Sequence, residues 1–97
     1  MKSTSRFLLF CFSFFFAQSI VAQTVTGTVV DEYNEGLPSV VIAVENQNGT
    51  MTEYNGQYTL NLPKGTHNIT NSFIGYEPIT KTVAVQGNKV LNVVMKP

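Results

Sequence analysis

Four residues, Glu53-Tyr54-Asn55-Gly56, separate two short runs suited to strands and constrain this chain more than any other feature. Gly49-Thr50-Met51-Thr52 precedes them, and Gln57-Tyr58-Thr59-Leu60-Asn61-Leu62-Pro63 follows. Asparagine before glycine, flanked by alternating apolar residues, is a strong hairpin signal, because both tolerate the positive φ of tight turns. Two registers fit. With Asn55-Gly56 as a two-residue loop, Glu53 faces Tyr58, and Met51 joins Tyr58, Leu60 and Leu62 on the apolar side. With Glu53 to Gly56 as a type I turn and Gly56 in the left-handed bulge position, Thr52 faces Tyr58 and Met51 turns outward. An acid at the first turn position and glycine at the fourth favour the bulge. Either register needs positive φ at Gly56, so Gly56→Ala is expected to cost more than Gly49→Ala.

The rest of the chain keeps the same rhythm. Residues 24–31 read as a strand with Val25, Gly27 and Val29 on one side, followed by a loop over 32–38. The β-branched run 40–45 predicts a central strand buried on both faces. Beyond Pro63-Lys64-Gly65 come extended runs at 66–74, 79–85 and 89–95, the last two separated by Gln86-Gly87-Asn88. Seven short strands with turns every eight to twelve residues or so predict one all-β, seven-stranded antiparallel sandwich. Val29, Val41, Leu60, Ile69, Phe73 and Val83 are expected on its inner faces.

The first residues carry an address rather than a fold. Lys2 and Arg6 precede an apolar stretch over 7–17, broken only by Ser13, and a more polar exit at 18–22. That pattern predicts a secretory signal peptide, cleaved after Ala22, and a mature domain over 23–97. The apolar stretch is shorter than the ~20 residues that span a bilayer, so no transmembrane segment is expected in the mature chain. Cys11 leaves with the leader, and no disulfide framework remains. The mature part then holds four lysines against six carboxylates and no arginine. That balance argues against nucleic acid as a partner.

Catalytic and metal chemistry find little to work with. His67 is the single histidine, and a zinc site needs several His or Cys ligands. Asp31, Glu32 and Glu35 lack the alternating acids of a calcium loop. Nucleophilic catalysis needs a base beside an activated Ser or Cys, which one imidazole and no mature cysteine do not supply. No cofactor and no enzymatic activity are expected.

A series of short motifs carries a family resemblance. It opens with Thr26-Gly27-Thr28-Val29-Val30-Asp31 and Gly36-Leu37-Pro38-Ser39-Val40. It continues through Gly49-Thr50, Thr52-Glu53-x-x-Gly56-x-Tyr58 and Leu62-Pro63-x-Gly65, and closes with Ser72-Phe73-Ile74-Gly75-Tyr76. The series resembles the carboxypeptidase regulatory-like domain family, with Ser39, Glu53 and Tyr58 standing where the family more often has Gly, Asp and Phe. The resemblance implies a transthyretin-like, non-catalytic sandwich. Members in Gram-negative bacteria commonly form the periplasmic N-terminal extension of TonB-dependent outer-membrane receptors, including glycan importers. Others accompany metallocarboxypeptidases or surface proteins. It also implies structural roles for Gly27, Asp31, Pro38, Gly49, Gly56, Tyr58, Phe73 and Gly75. Tyr33, Tyr54 and Tyr76 are the candidate interaction residues. The expected setting is the periplasm, the outer membrane or the cell surface. The expected partner is an outer-membrane receptor or periplasmic protein, with a glycan or peptide as candidate ligand. A free-standing binding or adhesion module and a peptidase accessory domain are the alternatives.

Overall fold

The computed structural model describes residues 22–97, so the expected leader, Cys11 included, lies outside the described residues except for Ala22. Eight strands form two sheets, and the described residues contain no helix. The strands are β1 (Ala22–Val30), β2 (Val41–Val44), β3 (Thr50–Met51), β4 (Gln57–Pro63), β5 (Gly65–Ser72), β6 (Ile79–Val85), β7 (Lys89–Val90) and β8 (Val93–Val94). In the first sheet β1 lies between β4 on one side and β7 and β8 on the other; the second sheet runs β3-β2-β5-β6.

Alternation decides which side chains enter the core. In β4, Tyr58, Leu60 and Leu62 are buried while Gln57, Thr59 and Asn61 are exposed. Their cross-strand partners on β1 are Gly27, Val25 and Gln23, and directly opposite residues share a face. The second sheet contributes Ile42, Val44, Ile69, Val83 and Val85 to the same core. Val29, Leu60, Ile69 and Val83 are therefore inside, as expected.

Two expected core positions are not. Val41 is 44 % exposed, because β2 is central in its sheet but covered on one face only. With just two layers, a continuous β-branched run still has an outer side, and Val41 and Ala43 occupy it. Phe73 is half-buried, since it follows the last residue of β5 and packs at the rim of the core.

The Asn55-Gly56 turn adopts the bulge. Gly56 N–H donates to the Glu53 carbonyl at 2.9 Å, Glu53 N–H donates to the Gln57 carbonyl at 2.8 Å, and Gly56 has φ +85°. Thr52 is buried, and Met51 is 53 % exposed. The two arms nevertheless join different sheets, β3 with β2 and β4 with β1. Thr52 draws the first arm away: its N–H donates to the Val40 carbonyl, and its own carbonyl accepts from Ser39 N–H, both at 3.1 Å. Gly49 is not the lenient position expected of it either. A Cβ there would stand 2.2 Å from the Ile42 carbonyl oxygen.

The expected last strand is split in two and runs parallel to β1, not antiparallel. Leu91 N–H donates to the Thr26 carbonyl (2.8 Å) and Met95 N–H to the Val30 carbonyl (2.9 Å). Between these bonds the Leu91 carbonyl leaves the ladder and accepts the Tyr58 hydroxyl. The Asn92 side chain takes its place, its Oδ1 accepting Thr28 N–H at 3.0 Å. This departure divides the run into β7 and β8. Asn71 is the unexplained feature of the core: it is 1 % exposed, and neither polar atom of its side chain has a partner among the described residues.

Candidate functional site

Three loops meet at the end of the sandwich where β1 finishes. The first, 31–40, folds on Asp31, whose Oδ1 accepts the N–H groups of Tyr33 and Glu35, both at 2.9 Å. The loop closes with Asn34 N–H on the Asp31 carbonyl (3.1 Å) and Asn34 at φ +64°. The Asp31 carboxylate is thereby committed to its own loop. The second is the Glu53 to Gly56 turn, held against the first because Val29 N–H donates to the Gly56 carbonyl while the Val29 carbonyl accepts Leu37 N–H. The third connects β5 to β6. Its Tyr76 N–H donates to the Phe73 carbonyl at 3.1 Å, with Gly75 at φ +85°, the value a type II turn requires of its third residue.

All three candidate tyrosines reach this end of the molecule, but they differ in what they offer. Tyr33 is 79 % and Tyr54 86 % exposed, each at the crest of its loop. Tyr76 instead packs back on the core, its ring 5.7 Å from that of Phe73 and tilted by 38°. Ile74 is 89 % exposed at the second position of its turn, and sequence reasoning had given it no role. Its neighbour in space, Val41, shares a shallow groove of about 390 Å³ with Ser39, Ser72, Phe73 and Ile74. Five of the chain's six acidic side chains, at Asp31, Glu32, Glu35, Glu53 and Glu77, lie on these loops, with Lys96 nearby. Loop crests with open tyrosines, an open isoleucine and negative charge suit contact with a macromolecule; they provide no enclosed pocket for a small one.

Elsewhere the described residues hold no group of three or more His, Cys, Asp or Glu side chains placed for a metal ion. His67 places Nε2 at 2.7 Å from the Pro63 carbonyl, a structural bond across the β4–β5 turn. An uncharged groove of about 650 Å³ runs along β2 and β3 past Val41, Ala43, Thr50 and Met51. No nucleophile–base pair lines it.

Thr52 and Tyr58 are the interior polar groups that hold the site's scaffold. Thr52 Oγ1 accepts Val40 N–H at 2.9 Å and donates to the Leu37 carbonyl at 2.6 Å, pinning the exit of the first loop. Burial pushes the Tyr58 phenol from its ordinary 10.0 up to about 12. The phenolate is the charged form, so the folded state favours the protonated ring. Its contribution is intact below pH 10 and is lost as the pH rises through about 12. Stability is expected to fall by about 2–3 kcal/mol more over that window than in a chain without this hydroxyl. Tyr58→Phe, compared by urea melts at pH 9 and pH 11.5, is expected to lack this extra fall.

The profile of the carboxypeptidase regulatory-like domain matches residues 25–97. The chain belongs to that family. Across 91 residues it is 36 % identical to the TonB-dependent receptor P39 of Formosa agariphila, a match covering 92 % of this chain and 9 % of the receptor. The chain thus spans under a tenth of that relative's length. Among solved structures, a chain of the type II cohesin–X–dockerin complex of Acetivibrio cellulolyticus superposes with TM-score 0.67 at 16 % identity, over 75 % of this chain and 56 % of that one. A DUF3823 family protein of Bacteroides ovatus gives 0.65 at 20 % identity, over 78 % and 44 %. The Bacillus anthracis TIE protein gives 0.63 at 20 % identity, over 78 % and 16 %. At these identities the structures establish a shared sandwich fold and nothing more. The family's description and the receptor relative name regulatory-like and receptor domains, not catalytic ones.

The residues given structural roles in the motif series have local physical reasons here. Gly27 admits the Leu91 carbonyl, Tyr58 bonds that carbonyl, Asp31 closes its loop, and Gly56 and Gly75 take positive φ. Gly49 makes room for the Ile42 carbonyl, Phe73 packs on Tyr76, and Pro38 lies exposed before a left-handed residue. That residue is Ser39, at φ +61°, a conformation that glycine adopts more readily than serine.

Proposed function

We propose that this domain is an exported, non-catalytic accessory module of the cell envelope, working beside a TonB-dependent outer-membrane importer of nutrients such as glycans. Residues 1–22 serve as the cleaved leader, and residues 23–97 act in the periplasm. The observation that carries this reading is the 36 % identity to a TonB-dependent receptor across 92 % of the chain. The loop end supports contact with a protein. Its exposed tyrosines are of the kind that anchor interfaces, and the exposed Ile74 adds apolar area at the same end.

Cross-linking in the producing cells provides the test. A photoreactive side chain at Tyr54 is expected to trap a TonB-dependent receptor, and one on the opposite end, at Lys64, is expected not to. Calorimetry of the exported mature chain against oligosaccharides and peptides is expected to give no heat. Micromolar binding of one of them, abolished by Tyr33→Ala or Tyr54→Ala, would replace this reading with a ligand-binding module.

A further inference from the structure

Glycine follows asparagine twice in the mature chain, at Asn48-Gly49 and at Asn55-Gly56, and the fold treats the two pairs oppositely. An asparagine before glycine is open to attack on its own side chain. The following backbone nitrogen adds to the side-chain carbonyl carbon, and a residue without Cβ neither blocks the approach nor restricts the dihedrals it needs. Three things suppress the attack: a hydrogen bond on that nitrogen, a fixed asparagine side chain, and burial.

Asn55-Gly56 has all three. Gly56 N–H donates to the Glu53 carbonyl at 2.9 Å. The Asn55 side chain is held at both ends by Gln57, donating Nδ2–H to Gln57 Oε1 (3.0 Å) and accepting Gln57 N–H on Oδ1 (3.1 Å). Gly56 itself is buried, with the Val29 carbonyl, Gly36 and Leu37 packed around its Cα. Asn48-Gly49 has none. Both residues are exposed at the β2–β3 turn, and among the described residues no hydrogen bond engages the Gly49 N–H.

We infer that Asn48 is a self-modifying site that converts to isoaspartate while Asn55 is protected. Gly49 N, losing its proton to solvent base, bonds to Asn48 Cγ. The Cγ–Nδ2 bond breaks, and Nδ2 leaves as ammonia, which closes a five-membered imide. Water then opens the ring at either carbonyl, leaving aspartate or isoaspartate at 48. Oxidation states do not change, and water is the only co-reactant. The isoaspartyl product places an extra methylene in the main chain just before Gly49. That residue cannot move toward β2, since a Cβ on it would already stand 2.2 Å from the Ile42 carbonyl oxygen, so the added length is taken up by movement away from β2. β3 meets β2 through the pairs Val41↔Met51 and Ile42↔Thr50, and the second of these lies next to the turn that carries Asn48. The Thr50 end of that pairing therefore opens, and a new carboxylate appears three residues along the chain from Glu45.

Incubating the folded mature chain at pH 8 and 37 °C and mapping its peptides by mass spectrometry tests the inference. Replacement of an amide by an acid is expected at Asn48 at least about tenfold faster than at Asn55, with isoaspartyl methyltransferase labelling the Asn48 peptide. In 8 M urea the two sites are expected to react within about twofold of each other, because only the fold separates them. Asn48→Gln is expected to stop the change in that peptide, and aged protein is expected to show faster amide exchange at Thr50 than fresh protein. Equal rates at the two sites in the folded chain, or no reaction at Asn48, would overturn the inference.

Discussion

Gly27→Ala is expected to unfold the domain or bring it to the edge of unfolding. The new Cβ would lie 1.9 Å from the Leu91 carbonyl oxygen and 3.0 Å from the Tyr58 ring. Backbone on one side and a buried aromatic on the other leave no flexible end to move aside. Relief requires β7–β8 to lift from β1, which breaks the Tyr58 hydroxyl bond to Leu91 and strains the Asn92 bond to Thr28. Overpacking of this severity and a lost buried hydrogen bond together cost about 4 kcal/mol or more. Small domains hold only about 5–15 kcal/mol in total, so little would remain. Gly75→Ala is the matched control, since Gly75 has φ +85° but nothing within 4 Å of a built Cβ. It is expected to lose about 1–2 kcal/mol from backbone conformation alone. Urea melts of the two variants separate close approach from backbone strain; a Gly27→Ala loss below that of Gly75→Ala would show that β7–β8 can yield.

Thr52→Val is expected to be the second most damaging change, although it keeps the shape of the side chain. Thr52 is 6 % exposed, and its hydroxyl serves Val40 N–H and the Leu37 carbonyl together. Valine leaves a donor and an acceptor unpaired at a buried site, at about 1–3 kcal/mol each, so about 2–6 kcal/mol in all. Thr52→Ser retains the hydroxyl and is expected to lose about 1 kcal/mol with its methyl group. If valine and serine cost the same in denaturant melts, the hydroxyl is not what holds the loop. The consequence reaches the proposed interaction surface, because this hydroxyl positions the exit of the loop that carries Tyr33.

Some of this protein was written in local pattern. Turn chemistry at Glu53 to Gly56 and strand alternation at Tyr58, Leu60 and Leu62 are decided within a few residues, so the bulge and the buried face of β4 follow from the sequence by itself. The ordered motif series determined the family in the same way, and Asp31 and Gly75 act within their own loops. Three features were decided only by the tertiary structure. The hairpin arms part because Thr52 finds partners on a loop twelve and fifteen residues away, a distance no local propensity reports. Val41 faces outward because a two-layer fold covers one side of each sheet, while its apolar neighbours in sequence are the same whichever side is covered. The last run lies parallel to β1 and breaks at Leu91, because Gly27 leaves room for a carbonyl, Tyr58 bonds it and Asn92 replaces it in the ladder. Those residues are dozens of positions apart, and only the pairing of β4 and β7–β8 on either side of β1 brings them together.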